Sequence, residues 1–365
     1  MPENPAIVEQ DESFQTEDSE QPIPPADIVA YNELRSCADL FRLHSSGKLE
    51  IQPDFQREVV WRQDDQSRFI DSLVKQLPIP SMCFSLDYRT QKWKVIDGLQ
   101  RMSSIIRFLS ERPEWQLSDL PDIHPLLRKA TNSSLRNGNE EQRRVFALVE
   151  DVSIPVTVIR CDYTQRNHMR YLFTIFHRLN SGGVRLTNQE IRNCIFTGHF
   201  NDLLKRFDNE NADWKAVKKR IWGAMDRYRS VEVLLRVLAF GDRLTEYDGN
   251  LARFLSDYMQ SKHALPAEAV AEFGQTLSAV ASRFRLALAD ETRRKLPLLL
   301  VEAVLVALYV NREHVASLSA SDLKSRYAAM KKLPSFADSA RYAVSSVDNV
   351  KARLGAAIAG FSPEA

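Results

Sequence analysis

The sequence predicts an α+β protein in which short strands and helices alternate first and helices alone follow. Two observations carry this. Up to about residue 200, β-prone runs at 49–51, 79–86, 92–96 and 152–161 are separated by stretches whose apolar residues recur at three and four positions. Beyond Phe200 only the helical spacing remains, and no strand-like alternation is found. The expected organisation is an acidic tail over 1–29, a strand-containing domain over 30–200 and an α-helical domain over 201–365.

A chain of 365 residues suggests two domains, since domains commonly run to roughly 100–200 residues. With 44% hydrophobic and 27% charged residues it has an ordinary globular composition. A net charge of +1 supplies no global pull toward nucleic acid or membranes, although a local basic groove is compatible with it. Cys37, Cys83, Cys161 and Cys194 are scattered without C-x-x-C spacing, which fits a reducing compartment and argues against structural zinc. No basic leader with an apolar core is visible, so a cytoplasmic location is expected. Residues 296–310 are strongly apolar but contain Glu302 and fall short of the ~20 residues a membrane span needs, which predicts a buried helix.

Residues 1–29 hold eight Asp or Glu, five Pro and no Lys or Arg, the composition of a disordered tail. A short helix is expected over 34–43. A strand from Leu49 runs into Pro53 and a loop in which Phe55 and Trp61 flank Gln56 and Arg57, two anchors around two hydrogen-bonding side chains. Asp64 and Asp65 start a helix carrying Phe69, Ile70, Leu73, Val74 and Leu77, and Pro78 and Pro80 end it. The strand at 79–86 turns at 87–90 and returns at 92–96 as a hairpin. Residues 112–150, polar and punctuated by three prolines, predict broken helices and loops, either folded over the core or partly mobile. Pro155 within the strand at 152–161 predicts an edge position or a bulge.

The hairpin delivers Lys94-Val95-Ile96-Asp97-Gly98-Leu99-Gln100-Arg101-Met102. The β-prone run ends at Asp97-Gly98, and Leu99, Met102, Ile105, Ile106 and Leu109 then mark one helix face. A helix start presents unpaired N–H groups and partial positive charge, and a glycine there lets an anion approach. Arg101, in the first turn, is placed to add a bidentate grip. The plain alternative is that Asp97 caps the helix and Gly98 turns the chain.

A helix over 164–179 stops at Asn180-Ser181-Gly182-Gly183, and the next begins at Thr187 with Glu190 three residues on, a capping box. Arg178 and Asn180 thus sit at a helix end facing a glycine turn. Further helices are expected at 200–207, 214–222, 230–241, 250–261, 267–289, 296–311, 320–331 and 338–354. Glu232 and Arg236 are spaced to pair across a turn, worth about 0.2–0.5 kcal/mol, or to face the N-terminal half.

Three pieces together resemble the N-terminal domain family of GmrSD-type modification-dependent restriction enzymes: Phe55-Gln56-Arg57 with Trp61, Asp97-Gly98-x-Gln100-Arg101, and Arg178-Leu179-Asn180-x-Gly182-Gly183 with Leu186-Thr187-x-x-Glu190-x-Arg192. Glu232 to Arg236 also fits the family's pattern. The resemblance implies a ParB/sulfiredoxin-like small mixed sheet with helices, nucleoside triphosphate binding at the Asp-Gly-x-Gln-Arg turn, hydrolysis with Mg²⁺ or another divalent cation, and work in bacterial defence against phage DNA.

Residue by residue, it puts Asp97, Gly98, Gln100 and Arg101 at the phosphates, Gln56 and Arg57 on the opposite wall, and Arg178 and Asn180 on the helical side. Arg57 and Arg101 would hold phosphate, Gln100 phosphate or the attacking water, and Asp97 metal or water. Asp97, Gln100 and Arg101 are the catalytic candidates. Leu99 stands where many relatives have a second glutamine, which removes one polar contact and implies slower or no turnover. Sulfiredoxin has its reactive cysteine at that place, so the redox chemistry is not expected here.

Residues 241–365 contain no histidine cluster of the His-Asn-His nuclease that succeeds this domain in full restriction enzymes. A stand-alone sensor or regulatory subunit is therefore expected, with a separately encoded effector such as a nuclease as partner. Three other functions compete. One is a DNA-binding protein without turnover, using the basic residues Lys215, Lys218, Lys219, Arg220, Arg227 and Arg229; the second is a phosphodiesterase or nuclease using the same pocket; the third is an acidic antitoxin that masks a partner.

Overall fold

A computed structural model of the chain describes residues 24–51, 61–179, 186–222, 228–292, 295–339 and 346–364. Ile23–Gly183 form one compact unit and Val184–Ala365 belong to a second.

The first unit is α+β. Its strands are β1 (Val29–Ser36), β2 (Leu49–Glu50), β3 (Met82–Asp87), β4 (Trp93–Asp97) and β5 (Ser153–Cys161), and they form one sheet in the order β1-β5-β3-β4-β2. β1 runs antiparallel to β5, β5 parallel to β3, β3 antiparallel to β4 and β4 parallel to β2, so the sheet is small and mixed. Helices α1 (Cys37–Ser45), α2 (Gln63–Val74), α3 (Leu99–Leu109), α4 (Asn132–Asn137), α5 (Glu140–Asp151) and α6 (Arg166–Leu179) complete the unit.

Met82, Phe84, Leu86, Trp93, Val95, Ile154, Val156 and Val158 enter a core with Leu40 of α1, Phe69, Ile70 and Leu73 of α2, Met102, Ile105 and Phe108 of α3, and Phe146 and Val149 of α5. Phe108 stacks on Phe146 at 5.1 Å and meets Trp115 edge-on at 6.4 Å. Residues 112–150 thus supply core side chains from broken helices and loops, as their punctuation predicts. α6 packs against β4, burying Met169, Leu172, Phe173 and Phe176.

Two local expectations change. The helix expected over 34–43 begins only at Cys37, because Ser36 Oγ accepts from Asp39 N at 3.1 Å and caps it; the residues before belong to β1, held by β5 more than 100 positions later. Pro155 lies in a strand with neighbours on both sides, but the β3 ladder opens one residue later at Met82–Val156, so at Pro155 only β1 is alongside. Asp27 precedes β1 and lies 2.9 Å from His168 of α6, so this unit's contacts reach back before residue 30.

The second unit is helical: α7 (Asn188–Ile195), α8 (His199–Glu210), α9 (Ala212–Lys219), α10 (Arg229–Arg243), α11 (Leu251–Lys262), α12 (Ala267–Ala287), α13 (Leu298–Val310), α14 (Arg312–Ser317), α15 (Ala320–Met330), α16 (Pro334–Ser339) and α17 (Val347–Gly360). α13 is the apolar segment, and ten of its residues, Glu302 among them, are buried against its neighbours. Among the described residues no helix is long and apolar enough to cross a membrane. The helix expected over 338–354 is interrupted, because Ser346 takes an extended backbone and its side chain caps α17.

Candidate functional site

The site grows from the β3–β4 hairpin. Phe84 pairs with Val95 but Cys83 with Asp97, so β4 accommodates one extra residue just before Asp97. A bulge of this kind re-aims the side chain next to it. Gly98 then takes φ +94°, a left-handed conformation that is strained for any residue with a Cβ. A Cβ there would also lie 2.5 Å from Cγ of the fully buried Met82. Conformation and space both require glycine.

Gly98 is the N-cap of α3, and no side chain of the described residues caps the helix. Asp97 is therefore not the cap that its position suggests. Its Oδ2 instead accepts from Arg101 Nη2 at 2.9 Å, and Arg101 Nη1 donates to the Pro80 carbonyl and, at 3.4 Å, to that of Ser81. The guanidinium is thereby held at the mouth of the turn, largely buried, with the carboxylate more exposed beside it. Gln100 turns its Oε1 inward, where no described residue donates to it. Leu99 leans on the core, which explains how an apolar residue is accommodated at that position.

Cys83, opposite Asp97, is buried, and burial together with the Asp97 charge pushes its thiol up to about 12. A thiol held that high stays protonated at neutral pH.

The structure thus brings Asp97, Gly98, Gln100 and Arg101 to one turn. Arg178 is exposed in the last turn of α6, the helix that packs on β4. Gln56, Arg57 and Asn180 lie outside the described residues. Sequence reasoning missed Met82, which closes the space behind Gly98, and the Pro80 and Ser81 carbonyls that tether Arg101. Twenty residues of chain separate tether from arginine, and no local pattern signals such a contact.

Of the residues that support metal binding, Asp97 supplies one carboxylate, and it already accepts from Arg101. Among the described residues no three His, Cys, Asp or Glu gather as a metal cage. One carboxylate suits Mg²⁺ carried by a nucleotide, because that ion takes most of its ligands from phosphate and water.

In the helical unit, the later motif residues form a second constellation. Thr187 Oγ1 accepts from Glu190 N at 3.2 Å and Thr187 N donates to Glu190 Oε2 at 2.6 Å, the expected capping box. Arg192 Nη2 lies 2.6 Å from Glu232 Oε2, Arg236 Nη2 lies 2.7 Å from Glu232 Oε1, and Arg236 Nη1 reaches Glu302 Oε2 at 3.0 Å. Burial alone would raise the Glu232 carboxyl, but Arg236 and Arg192 outweigh it and hold it below the usual range. This is a buried ion network joining α7, α10 and α13, well beyond a surface pair four residues apart. In the basic stretch, Lys218 is tied to Asp208 at 2.6 Å and Arg220 Nη2 to the Glu291 carbonyl at 3.0 Å, which leaves fewer cations for DNA.

Residues 37–197 match the family model described as GmrSD restriction endonuclease, N-terminal domain. This segment belongs to that domain family. The match takes in β2 to β5, the Asp97–Arg101 turn and α7, and so covers every motif that carried the resemblance except Glu232 to Arg236. No curated protein and no solved structure matches the chain.

Proposed function

We propose that the GmrSD N-terminal domain of this chain binds a nucleoside triphosphate at the Asp97–Arg101 turn and hydrolyses it, acting as a sensor or regulatory component of restriction in bacterial anti-phage defence. The observation that carries this is the start of α3, capped by no side chain of the described residues, at a glycine-only turn with a tethered arginine across it. First-turn amides and partial positive charge favour a phosphate there. Arg101, oriented by Asp97 and two carbonyls, meets phosphate oxygens without a long search through rotamers.

The Gln100 carboxamide turns its oxygen inward, so its NH₂ group is the part that would donate to phosphate or to the attacking water. A Mg²⁺ held by Asp97 and the phosphates would neutralise charge on the leaving group. Leu99 supplies no polar contact, so turnover should be slow compared with binding. The partner in this reading is a separately encoded effector, such as a nuclease, gated by nucleotide state.

The test compares nucleoside triphosphate turnover with Mg²⁺ in the wild type, Asp97→Ala and Arg101→Ala, alongside binding of a fluorescent triphosphate analogue. Loss of both signals in Arg101→Ala supports the site. Equal residual turnover in all three proteins removes the hydrolysis claim, and unchanged analogue binding removes the pocket.

A further inference from the structure

A row of side chains crosses the sheet of the first unit and ends at the Asp97–Arg101 turn. Asn32 of β1 is paired with Thr157 of β5, Thr157 with Cys83 of β3, and Cys83 with Asp97 of β4. Residues directly opposed on neighbouring strands share a face, so these four lie in line on one face, and the bulge in β4 brings the carboxylate into that line. Thr157 Oγ1 donates to Asn32 Oδ1 at 2.8 Å and lies 3.3 Å from Ser81 Oγ, while the Ser81 carbonyl accepts from Arg101 Nη1 at 3.4 Å. Ser81 therefore joins the row to the tethered arginine. Along β1 and β5 the same face is apolar on both sides of the row, with Ala30 opposite Ile159 and Leu34 opposite Pro155. Asn32 and Ser81 are exposed and Thr157 is half-buried. The bond from Thr157 occupies the amide oxygen of Asn32 and leaves both Nδ2 hydrogens without an acceptor among the described residues.

We propose that this row is the nucleoside subsite of the triphosphate site, with the sugar over Ser81 and Thr157 and the base edge paired to the Asn32 amide. Resting on the triphosphate reading of the Asp97–Arg101 turn, this assigns a place to the part of the ligand that is not phosphate. From β4 to β1 is three strand spacings, ~14 Å. That is the reach of an extended nucleoside triphosphate from its terminal phosphate to its base. The chemistry follows the same order. A guanidinium stands at one end for phosphate, hydroxyls that exchange hydrogen bonds with a sugar stand in the middle, and an amide stands at the other end. The adjacent donor and acceptor of an asparagine match the edge of a base. Thr157 fixes which way that amide turns, so its NH₂ group is offered to the ligand. The apolar pairs on either side give a flat ring surface to pack on.

Isothermal titration calorimetry of the full chain with each of the four ribonucleoside triphosphates and with inorganic triphosphate tests this in the wild type, Asn32→Ala, Thr157→Val and Arg101→Ala. The wild type binds its preferred nucleoside triphosphate at least about tenfold more tightly than inorganic triphosphate, the worth of one or two hydrogen bonds. Asn32→Ala and Thr157→Val each remove most of that margin and leave the affinity for inorganic triphosphate unchanged. Arg101→Ala weakens both ligands. Equal affinity of the wild type for the two kinds of ligand overturns the subsite, and so do variants at Asn32 and Thr157 that keep the full margin. In either case loss of both ligands in Arg101→Ala leaves the phosphate site standing. A fall in affinity for inorganic triphosphate as large as that for the nucleoside triphosphate in Asn32→Ala makes the residue structural and likewise overturns the subsite. A wild type that binds neither ligand overturns the subsite together with the reading it rests on.

Discussion

Asp97 and Arg101 face each other across the first turn of α3, 2.9 Å apart, with the arginine tied on its far side to the carbonyls of Pro80 and Ser81. The pair makes the carboxylate an orienting group for the arginine. Arg101→Lys should therefore retain a positive charge yet lose the geometry, because an ammonium cannot bridge a carboxylate and two carbonyls from one plane. Triphosphate-analogue affinity should fall about tenfold or more in Arg101→Lys, with an unchanged circular dichroism spectrum. Fluorescence anisotropy checks this.

Gly98→Ala should destabilise the protein by at least about 1–2 kcal/mol from the left-handed backbone alone. The contact with Met82 adds to that. Shortening the neighbour in Gly98→Ala/Met82→Ala should not restore stability, because the backbone strain stays and a cavity appears. Urea unfolding of Gly98→Ala, Met82→Ala and the double variant decides between the conformational and the steric contribution.

Glu232 holds Arg192 and Arg236 together inside the helical unit. Replacing it by Leu leaves two buried guanidinium groups without that partner, and the expected loss is about 3–5 kcal/mol. The lowered pKa of Glu232 sets the sign of the pH dependence. The folded state binds fewer protons than the unfolded one, so this contribution is present above the ordinary glutamate range and is lost as pH falls through the folded value. Glu232→Gln should flatten the acid limb of stability against pH, read by unfolding between neutral pH and the glutamate range.

Thr187 begins α7 through a reciprocal cap with Glu190. Thr187→Ala should cost about 0.5–2 kcal/mol, and Thr187→Ser should recover most of it. Thermal unfolding of the pair is the check.

The thiols should differ in reactivity. Burial pushes Cys37, Cys83 and Cys161 up to about 12, with the Asp97 charge adding to Cys83 and nearby Asp87 to Cys161. Cys194 is the one cysteine that is not buried. Iodoacetamide at neutral pH should label Cys194 first, and the other three only after unfolding, as peptide mapping by mass spectrometry would show.

Much of this architecture is legible in the linear order of residues. The helix spacing around Ile105 and Leu109, the turn at 87–90, the glycine turn after Asp97 and the Thr187–Glu190 box are local patterns, set by neighbours within four positions. So is the buried character of α13, whose run of apolar residues has no polar face to turn outward.

Local pattern could not supply the features that depend on partners distant in sequence. Residues 29–36 form a strand because β5 supplies their ladder, although Leu34 also fits a helical spacing with Cys37 and Phe41. Pro155 is tolerated in an interior strand because β3 begins pairing only at the next residue. Arg101 is held by carbonyls twenty residues earlier, and Glu232 is shared by arginines from α7 and α10. The sequence alone determined that a glycine turn would start a helix with an arginine in its first turn. Only tertiary structure decided that Asp97 orients that arginine and does not cap the helix, because the bulge in β4 and the approach of Pro80 exist only once the sheet has formed.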